Sequence, residues 1–340
     1  MLLFATDPVF AEHDTGPHHP ECPARLRAVA AGVDLAALGS DLVSLARRDA
    51  TRVELERVHP ADHLDHLEAT CARGGHFDAD TPASPGTWPA ALAAAGAGLA
   101  AIDALESGAG TGATGAFLAI RPPGHHARAR QAMGFCLVNN VAVAAAHLRA
   151  RGERVAIVDI DAHHGNGTEE IFAADPEVLY ISFHEWPLYP GTGRHDDIGI
   201  DDGRWATCNL PLPAGATGDV YLAGYDRVVA PLLDGFAPDW LIISAGFDGH
   251  RDDPITGLGL SAGDYARLVS RLVDQAPRGR VVTFLEGGYS PTGLRDSIAA
   301  TLPVLAGGTI PTIPGESATA GGPGARVVDV VSELWRTRPI

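Results

Sequence analysis

Residues 154–167 read RVAIVDIDAHHGNG, and the abrupt change of chemistry within that stretch decides the fold. Val155, Ala156, Ile157 and Val158 form an unbroken apolar run. It is too short for a helix and lacks the alternation of a half-solvated strand, so it reads as an interior strand of a parallel sheet covered on both faces. Carboxylates, imidazoles and glycines follow at once. Because side chains of an extended chain repeat every two residues, Asp159, Asp161 and His163 can point the same way from one strand end. Two carboxylates and an imidazole brought together repel or titrate abnormally unless a cation or partner groups satisfy them, and this O/N donor set suits a divalent metal. An Asp-x-Asp-x-His string also arises by chance in surface loops, so its context must separate the two readings.

The same pattern recurs along the chain. Phe117–Ile120 is an apolar strand that runs into RPPGHHA, where two prolines stiffen the turn presenting His125 and His126. Val178–Phe183 ends at His184 and the aromatic, turn-rich EWPLYPGTG; Trp240–Ser244 ends in AGFDGHRDDP; Val281–Leu285 ends in EGGY. Leu2–Ala5 and Leu42–Leu45 supply two earlier strands. Helical stretches alternate with these strands: from Ala24 onward, Ala61–Arg73, Pro89–Glu106, about Asn139–Arg151, Gly167–Ala173 and Asp219–Leu233. Such alternation implies right-handed βαβ crossovers and a parallel sheet, and open parallel sheets bind ligands beyond the carboxyl ends of their strands. His125, His126, Asp159, Asp161, His163, Asp248 and Tyr289 are therefore predicted to meet at one sheet edge.

Bulk properties bound the rest. A chain of 340 residues with 46% hydrophobic composition has room for one large α/β domain or two small ones. A formal charge of −17 disfavours direct nucleic-acid binding and tolerates a cationic substrate, although acidity also serves solubility alone. Cys22, Cys71, Cys136 and Cys208 form no CxxC pair, which fits a reducing, cytoplasmic setting. The start, MLLFATDPVF, has no basic flank and is interrupted by Asp7 and Pro8, so neither a signal peptide nor a membrane span is expected. His13, His18 and His19 crowd one polar loop that reads as metal-binding or, more commonly for such loops, as solvated. The turn-rich stretch 74–88 offers Asp78 and Asp80 for holding a substrate backbone or a lysine-like cation. Residues of about 306–325 are rich in Gly, Pro and Thr and read as a covering segment before a short helical signal at Val327–Trp335.

Six motifs, RPPGHHA, GFCLVNNVAVAA, DIDAHHGNGTEEIF, SFHEWPLYPGTG, SAGFDGHRDDP and LEGGY, occur in an order that resembles the histone deacetylase superfamily. Within it the chain is most similar to the class II-like bacterial histone deacetylase-like amidohydrolases and acetylpolyamine amidohydrolases. The resemblance implies a single α/β domain over 1–340 with the arginase-deacetylase fold, a central mostly parallel sheet flanked by helices on both faces. It implies one Zn²⁺ per chain held by Asp161, His163 and Asp248, with hydrolysis of acyl-lysine, acetylpolyamine or a small acyl amide by attack of a zinc-bound water. His126 then corresponds to the proton-transfer histidine, His125 to an electrostatic partner oriented by Asp159, and Asn166 to the neighbour of His126, where some relatives have Asp. Tyr289 corresponds to the oxyanion donor, with Gly287 and Gly288 letting the backbone approach. Asp80, Phe135, Tyr189 and Ile255 correspond to the substrate channel, with Leu188 competing for the place of Tyr189. Ile255 stands where a polyamine-specific relative has an acidic residue.

The resemblance further implies structural K⁺ or Na⁺, one site near Asp159, Asp161, His163, Ser182 and Phe183, the other near Phe172, Asp175, Val178 and Ala206. It leaves self-association into a homo-oligomer open. Two rival readings share these residues. One is a dinuclear manganese ureohydrolase-like enzyme using Asp252 and Asp253; the other is a non-catalytic acyl-amine binding protein.

Overall fold

The computed structural model describes residues 1–108 and 112–338. Its strands are β1 (Leu2–Ala5), β2 (Leu42–Ser44), β3 (Gly75–His76), β4 (Pro82–Ala83), β5 (Ala116–Leu118), β6 (Val155–Asp159), β7 (Val178–Glu185), β8 (Thr207–Leu212), β9 (Trp240–Ala245) and β10 (Val281–Leu285). Eight of them pair in parallel in the order β2-β1-β5-β10-β9-β6-β7-β8, while β3 and β4 form a separate short antiparallel pair. Every residue of β5, β6, β7, β9 and β10 is buried, which is why these strands read as continuous apolar runs rather than alternating ones.

Alternation survives in the direction of packing. Ala156 and Val158 enter one core layer with Leu241 and Ile243, while Val155 and Ile157 enter the opposite layer with Trp240 and Ile242. The first layer is roofed by helices Ala24–Ala36, Ala262–Gln275, Pro291–Leu305 and Ala325–Arg336, the second by Ala61–Arg73, Thr87–Glu106 and Asn140–Arg149. Thr87–Glu106 is long and apolar enough to cross a membrane by length and composition alone. It is instead a core helix, with Ala90, Ala94, Leu99 and Ile102 fully buried against the sheet. All four cysteines are free thiols.

Several elements depart from the sequence reading. Edge strand β8 was not anticipated, because Asn209 and Pro211 break its apolar run; an edge strand tolerates both. Helices Ala262–Gln275 and Pro291–Leu305 were also missed, although each announces itself: Ser261 and Asp264 form a reciprocal capping box, and Ser290 caps a helix with Pro at its first position. The helix expected over Asp219–Leu233 is three consecutive pieces, Gly218–Gly224, a π-helical turn at Tyr225–Val229 and Ala230–Phe236. Pro231 offers no N–H and crowds the carbonyl one turn back, and the wider turn accommodates it. The segment of about 306–325 is irregular up to the start of the last helix and is fastened at several points, Glu316 and Thr319 among them. Glu316 accepts from the Ala262 amide at 2.8 Å and pairs with His250 at 2.9 Å, and Thr319 donates to Asp264 through N and Oγ1.

Candidate active site

Five adjacent strands, β5, β10, β9, β6 and β7, end at one edge of the sheet, and the turns after them carry the reactive side chains. Asp161, His163 and Asp248 are buried, and their ligand atoms lie within 4.8 Å of one another. The backbone aims each of them. Asp161 Oδ1 accepts from the His163 amide at 2.8 Å and its Oδ2 from the Gly287 amide at 2.7 Å; Asp248 Oδ1 accepts from the Ala162 amide at 2.8 Å. His163 Nδ1 faces both carboxylates, 3.2 Å from Asp161 Oδ1 and 2.8 Å from Asp248 Oδ2. Gly287 is required here, because a Cβ would lie 2.5 Å from Asp248 Oδ2 and 2.6 Å from Asp161 Oδ2.

The electrostatics of this trio call for a cation. Burial, and then the Asp161 charge, push Asp248 up to about 7. Burial opposes the Asp161 charge too, but His125 and His163 outweigh it and hold this carboxyl well below the usual carboxylate range. Burial disfavours the charged form of His163, yet its hydrogen bonds to both carboxylates raise it to about 10. Two buried carboxylates and one imidazole nitrogen within 4.8 Å of one another are a donor set that would suit a divalent ion such as Zn²⁺.

Asp159 is not part of that trio. The strand alternation that grouped it with Asp161 and His163 stops at the end of β6, and its side chain turns instead toward His125, with Oδ2 3.0 Å from His125 Nδ1. Tyr180 Oη donates to the same oxygen at 3.3 Å, and Oδ1 accepts from the Asp161 amide at 3.1 Å. His126 sits beside His125, with ring centroids 4.0 Å apart, and its Nδ1 meets Asn166 Oδ1 at 2.9 Å. The Asn166 amide nitrogen donates to Met133 Sδ at 3.5 Å, which orients Oδ1 toward the imidazole, so His126 carries its proton on Nδ1.

The two histidines are thereby driven apart. Burial works against the His125 imidazolium, but the charges of Asp159 and Asp161 and the hydrogen bond to Asp159 together more than offset it and lift the pKa to about 10. Burial, followed by the charges of His125 and His163, holds His126 well below the ordinary imidazole value. One ring is held as a cation and its neighbour as a neutral base.

A cavity of about 190 Å³ opens onto these groups. His125, His126, His163, Gly287 and Tyr289 line it together with Phe135, Leu188, Tyr189, Ile255 and Asp80. Phe135 meets Tyr289 edge to face at 5.9 Å, and Tyr189 meets His126 in the same way at 5.1 Å. Both Leu188 and Tyr189 reach the cavity, so the competition between them for the wall does not arise. Gly288 is a correction. It does not line the cavity: a Cβ there would meet Phe247 and Leu294, and its contribution is the φ of +121° that turns the chain toward Tyr289. A roomier groove of 360 Å³ lies elsewhere, between Trp186, Pro211 and Val330, but among the described residues no converging ligand set lies in it.

Two of the three loop histidines, His13 and His19, have structural roles, while His18 is exposed. His13 is buried between Thr87 Oγ1 at 2.8 Å and Glu21 at 3.4 Å; His19 bonds the Asp80 carbonyl at 3.0 Å and packs on Phe135. The sequence reading did not find the buried charges behind the site. Glu286 Oε2 accepts from the Gly124 and His125 amides at 2.7 and 3.2 Å, and burial raises its pKa to about 7. Arg25, held by Glu21, donates to the Glu286 and Gly288 carbonyls at 2.5 and 2.8 Å and lies 5.0 Å from the Tyr289 ring centre. Arg121 also pairs with Glu21. The Glu in LEGGY, at the end of an apolar strand, was the one available signal.

A model of the histone deacetylase domain matches residues 19–305. The chain belongs to the histone deacetylase family. A protein of Archaeoglobus fulgidus named "Probable deacetylase" is 39% identical over 84% of this chain and 80% of its own length. The histone deacetylase-like amidohydrolase of Pseudomonas aeruginosa is 38% identical over 80% of this chain and 73% of its own. Among solved structures, that of the HDA15 HD domain superposes with a TM-score of 0.89 at 35% identity, covering 99% of this chain and 95% of that one. The family accounts for the single α/β domain, and the names of these relatives state deacetylase or amidohydrolase activity.

Proposed function

We propose that this member of the family is a Zn²⁺-dependent amidohydrolase that removes acetyl or another acyl group from a lysine-like or polyamine amine. The observation that carries the reading is the convergence of Asp161, His163 and Asp248 beside an imidazolium, a neutral imidazole and a phenol on one cavity. Zn²⁺ bound by those three side chains would supply Lewis acidity toward the acyl oxygen and lower the pKa of a nearby water. The remaining steps belong to the protein. With Nδ1–H bonded to Asn166, His126 offers Nε2 as acceptor, takes a proton from the attacking water and returns it to the leaving amine nitrogen. His125 stays protonated against Asp159 and stabilises charge growing on the acyl group. Tyr289 donates its hydroxyl to the acyl oxygen as that oxygen becomes negative. Phe135, Tyr189, Leu188 and Ile255 enclose the alkyl stem of the amine, and Asp80 at the cavity takes a cationic or N–H group of the substrate.

The dinuclear alternative lacks a second ligand set among the described residues. Asp252 is exposed, and Asp253 is engaged by three backbone amides. The deciding experiment is metal analysis of the purified chain combined with turnover of acetyl-lysine peptides, longer acyl-lysines and acetylpolyamines. The expected result is one equivalent of zinc and release of carboxylate that chelation abolishes and zinc restores. Two manganese ions per chain, or zinc-loaded protein that binds acyl amines and releases nothing, would overturn the proposal.

A further inference from the structure

Asp253 is buried, yet it belongs neither to the metal trio nor to the cavity lining. Its Oδ2 accepts from the amides of Tyr289 at 2.7 Å and Ser290 at 3.2 Å, while Oδ1 accepts from the amide of Ile255 at 3.1 Å. These three amides have no other partner among the described residues. One carboxylate therefore joins the backbone under the phenol to the backbone under the apolar wall of the same cavity.

The turn it holds is anchored at Gly287, whose amide bonds Asp161 and whose carbonyl accepts from Phe247, and at Ser290, which caps the helix that follows; the amides between depend on Asp253. Gly287 and Gly288 precede Tyr289, and Gly288 sits at φ +121°, so the local chain has little conformational preference of its own. The far side of the turn is fixed by Arg25 on the Glu286 and Gly288 carbonyls, which leaves the amides of Tyr289 and Ser290 to Asp253. The Ile255 end is equally constrained, because the next two residues are pinned: Thr256 Oγ1 donates to the Asp248 carbonyl and the Gly257 amide to Glu185 Oε2 at 2.6 Å. Three N–H donors converging on one side chain require two acceptor oxygens. An asparagine would supply one and turn an NH₂ toward a remaining donor.

We infer that Asp253 is a positioning residue for the amide hydrolysis, setting the Tyr289 phenol against the acyl oxygen and the Ile255 wall in one stroke. The inference rests on the proposed reading of the cavity. Asp253→Asn and Asp253→Ala are to be made in the wild-type chain and in a Tyr289→Phe chain, with kcat on an acetyl-lysine peptide and bound zinc measured for each. A misplaced phenol should lower kcat by about 10- to 100-fold in the wild-type background with zinc content unchanged. In the Tyr289→Phe background the same changes should cost less than about threefold, since the group they position is already gone. Equal losses in both backgrounds would show a merely structural carboxylate and overturn the inference. If Asp253→Ala does not fold, the near-isosteric Asp253→Asn carries the comparison.

A second readout needs no turnover. With 3-fluorotyrosine incorporated at position 289, Asp253→Asn should shift or broaden the fluorine resonance; an unmoved line also overturns the inference. Zinc-loaded protein inactive on every acyl amine removes the reaction reading, while the fluorine line still decides whether Asp253 places Tyr289.

Discussion

Replacing Tyr289 with phenylalanine removes one oxygen and leaves nearly everything else in place. The ring keeps its edge-to-face contact with Phe135 and its approach to Arg25, and the backbone keeps its bonds to Asp253. Tyr289 Oη has no hydrogen-bond partner among the described residues, so the resting protein loses no internal bond. Stability should therefore change by no more than about 0.5 kcal/mol, as for a substitution that makes neither a cavity nor an orphaned polar group. The transition state loses a preorganised donor inside a buried site, which by comparison with other oxyanion donors is about 2.7–4 kcal/mol, or roughly 100- to 1,000-fold in kcat. Burial favours the neutral phenol and lifts its pKa well above the usual value despite the nearby Arg25, so the donor proton is present throughout the working pH range. Steady-state deacetylation of an acetyl-lysine peptide, zinc analysis and thermal melting make the test. Because the interaction forms only as negative charge develops, kcat should fall with KM and zinc content little changed. A kcat within about threefold of wild type, or a loss that tracks lost zinc, would refute the reasoning.

Three other outcomes are expected. Asn166→Asp puts a carboxylate against His126 Nδ1, so the pKa of this imidazole should rise and the acidic limb of the kcat/KM–pH profile should move up by about one unit or more; an unmoved limb would remove His126 as the titrating base. Metal-free protein should lose thermal stability as pH rises. Asp248 and Glu286, lifted to about 7, and His125 and His163, lifted to about 10, all bind protons more tightly folded than unfolded. Their contribution is present at low pH, that of the two acids is lost from the unfolded carboxylate range up through 7, and that of the histidines from 6.5 up through 10; His126, lowered by burial, opposes the trend. Melting curves between pH 5 and 9 test this, and added Zn²⁺ should flatten the slope. Ile255→Glu places a carboxylate in the apolar wall, so kcat/KM for acetylpolyamines relative to acetyl-lysine peptides should rise by about tenfold; an unchanged ratio would show that Ile255 does not contact the amine.

Runs such as VAIVD and WLIISA could be assigned from the sequence because a strand buried on both faces has no polar positions to blur it, and the residue after such a run in an open parallel sheet lies on the ligand-binding edge. That rule brings His125, His126, Asp161, His163, Asp248 and Tyr289 to one place from the sequence alone. The same reasoning failed where polarity served a tertiary purpose. Strand β8 is broken by Asn209 and Pro211, which only an edge position explains, and the helices at Ala262 and Pro291 were marked by caps rather than by a clean apolar run.

The sequence by itself determined the sheet class, the edge at which the chemistry gathers and the donor types gathered there, because burial and strand period are local properties of the chain. Only the tertiary structure decided which charges face which. Asp159 turns to His125 instead of joining the metal trio, Glu286 and Arg25 brace the turns from behind, and Asp253 bonds the amides of both Ile255 and Tyr289. Apart from the local Asp253–Ile255 bond, those pairings join residues dozens to hundreds of positions apart, and a hydrogen bond is set by ångström-scale distance and angle that no spacing along the chain encodes.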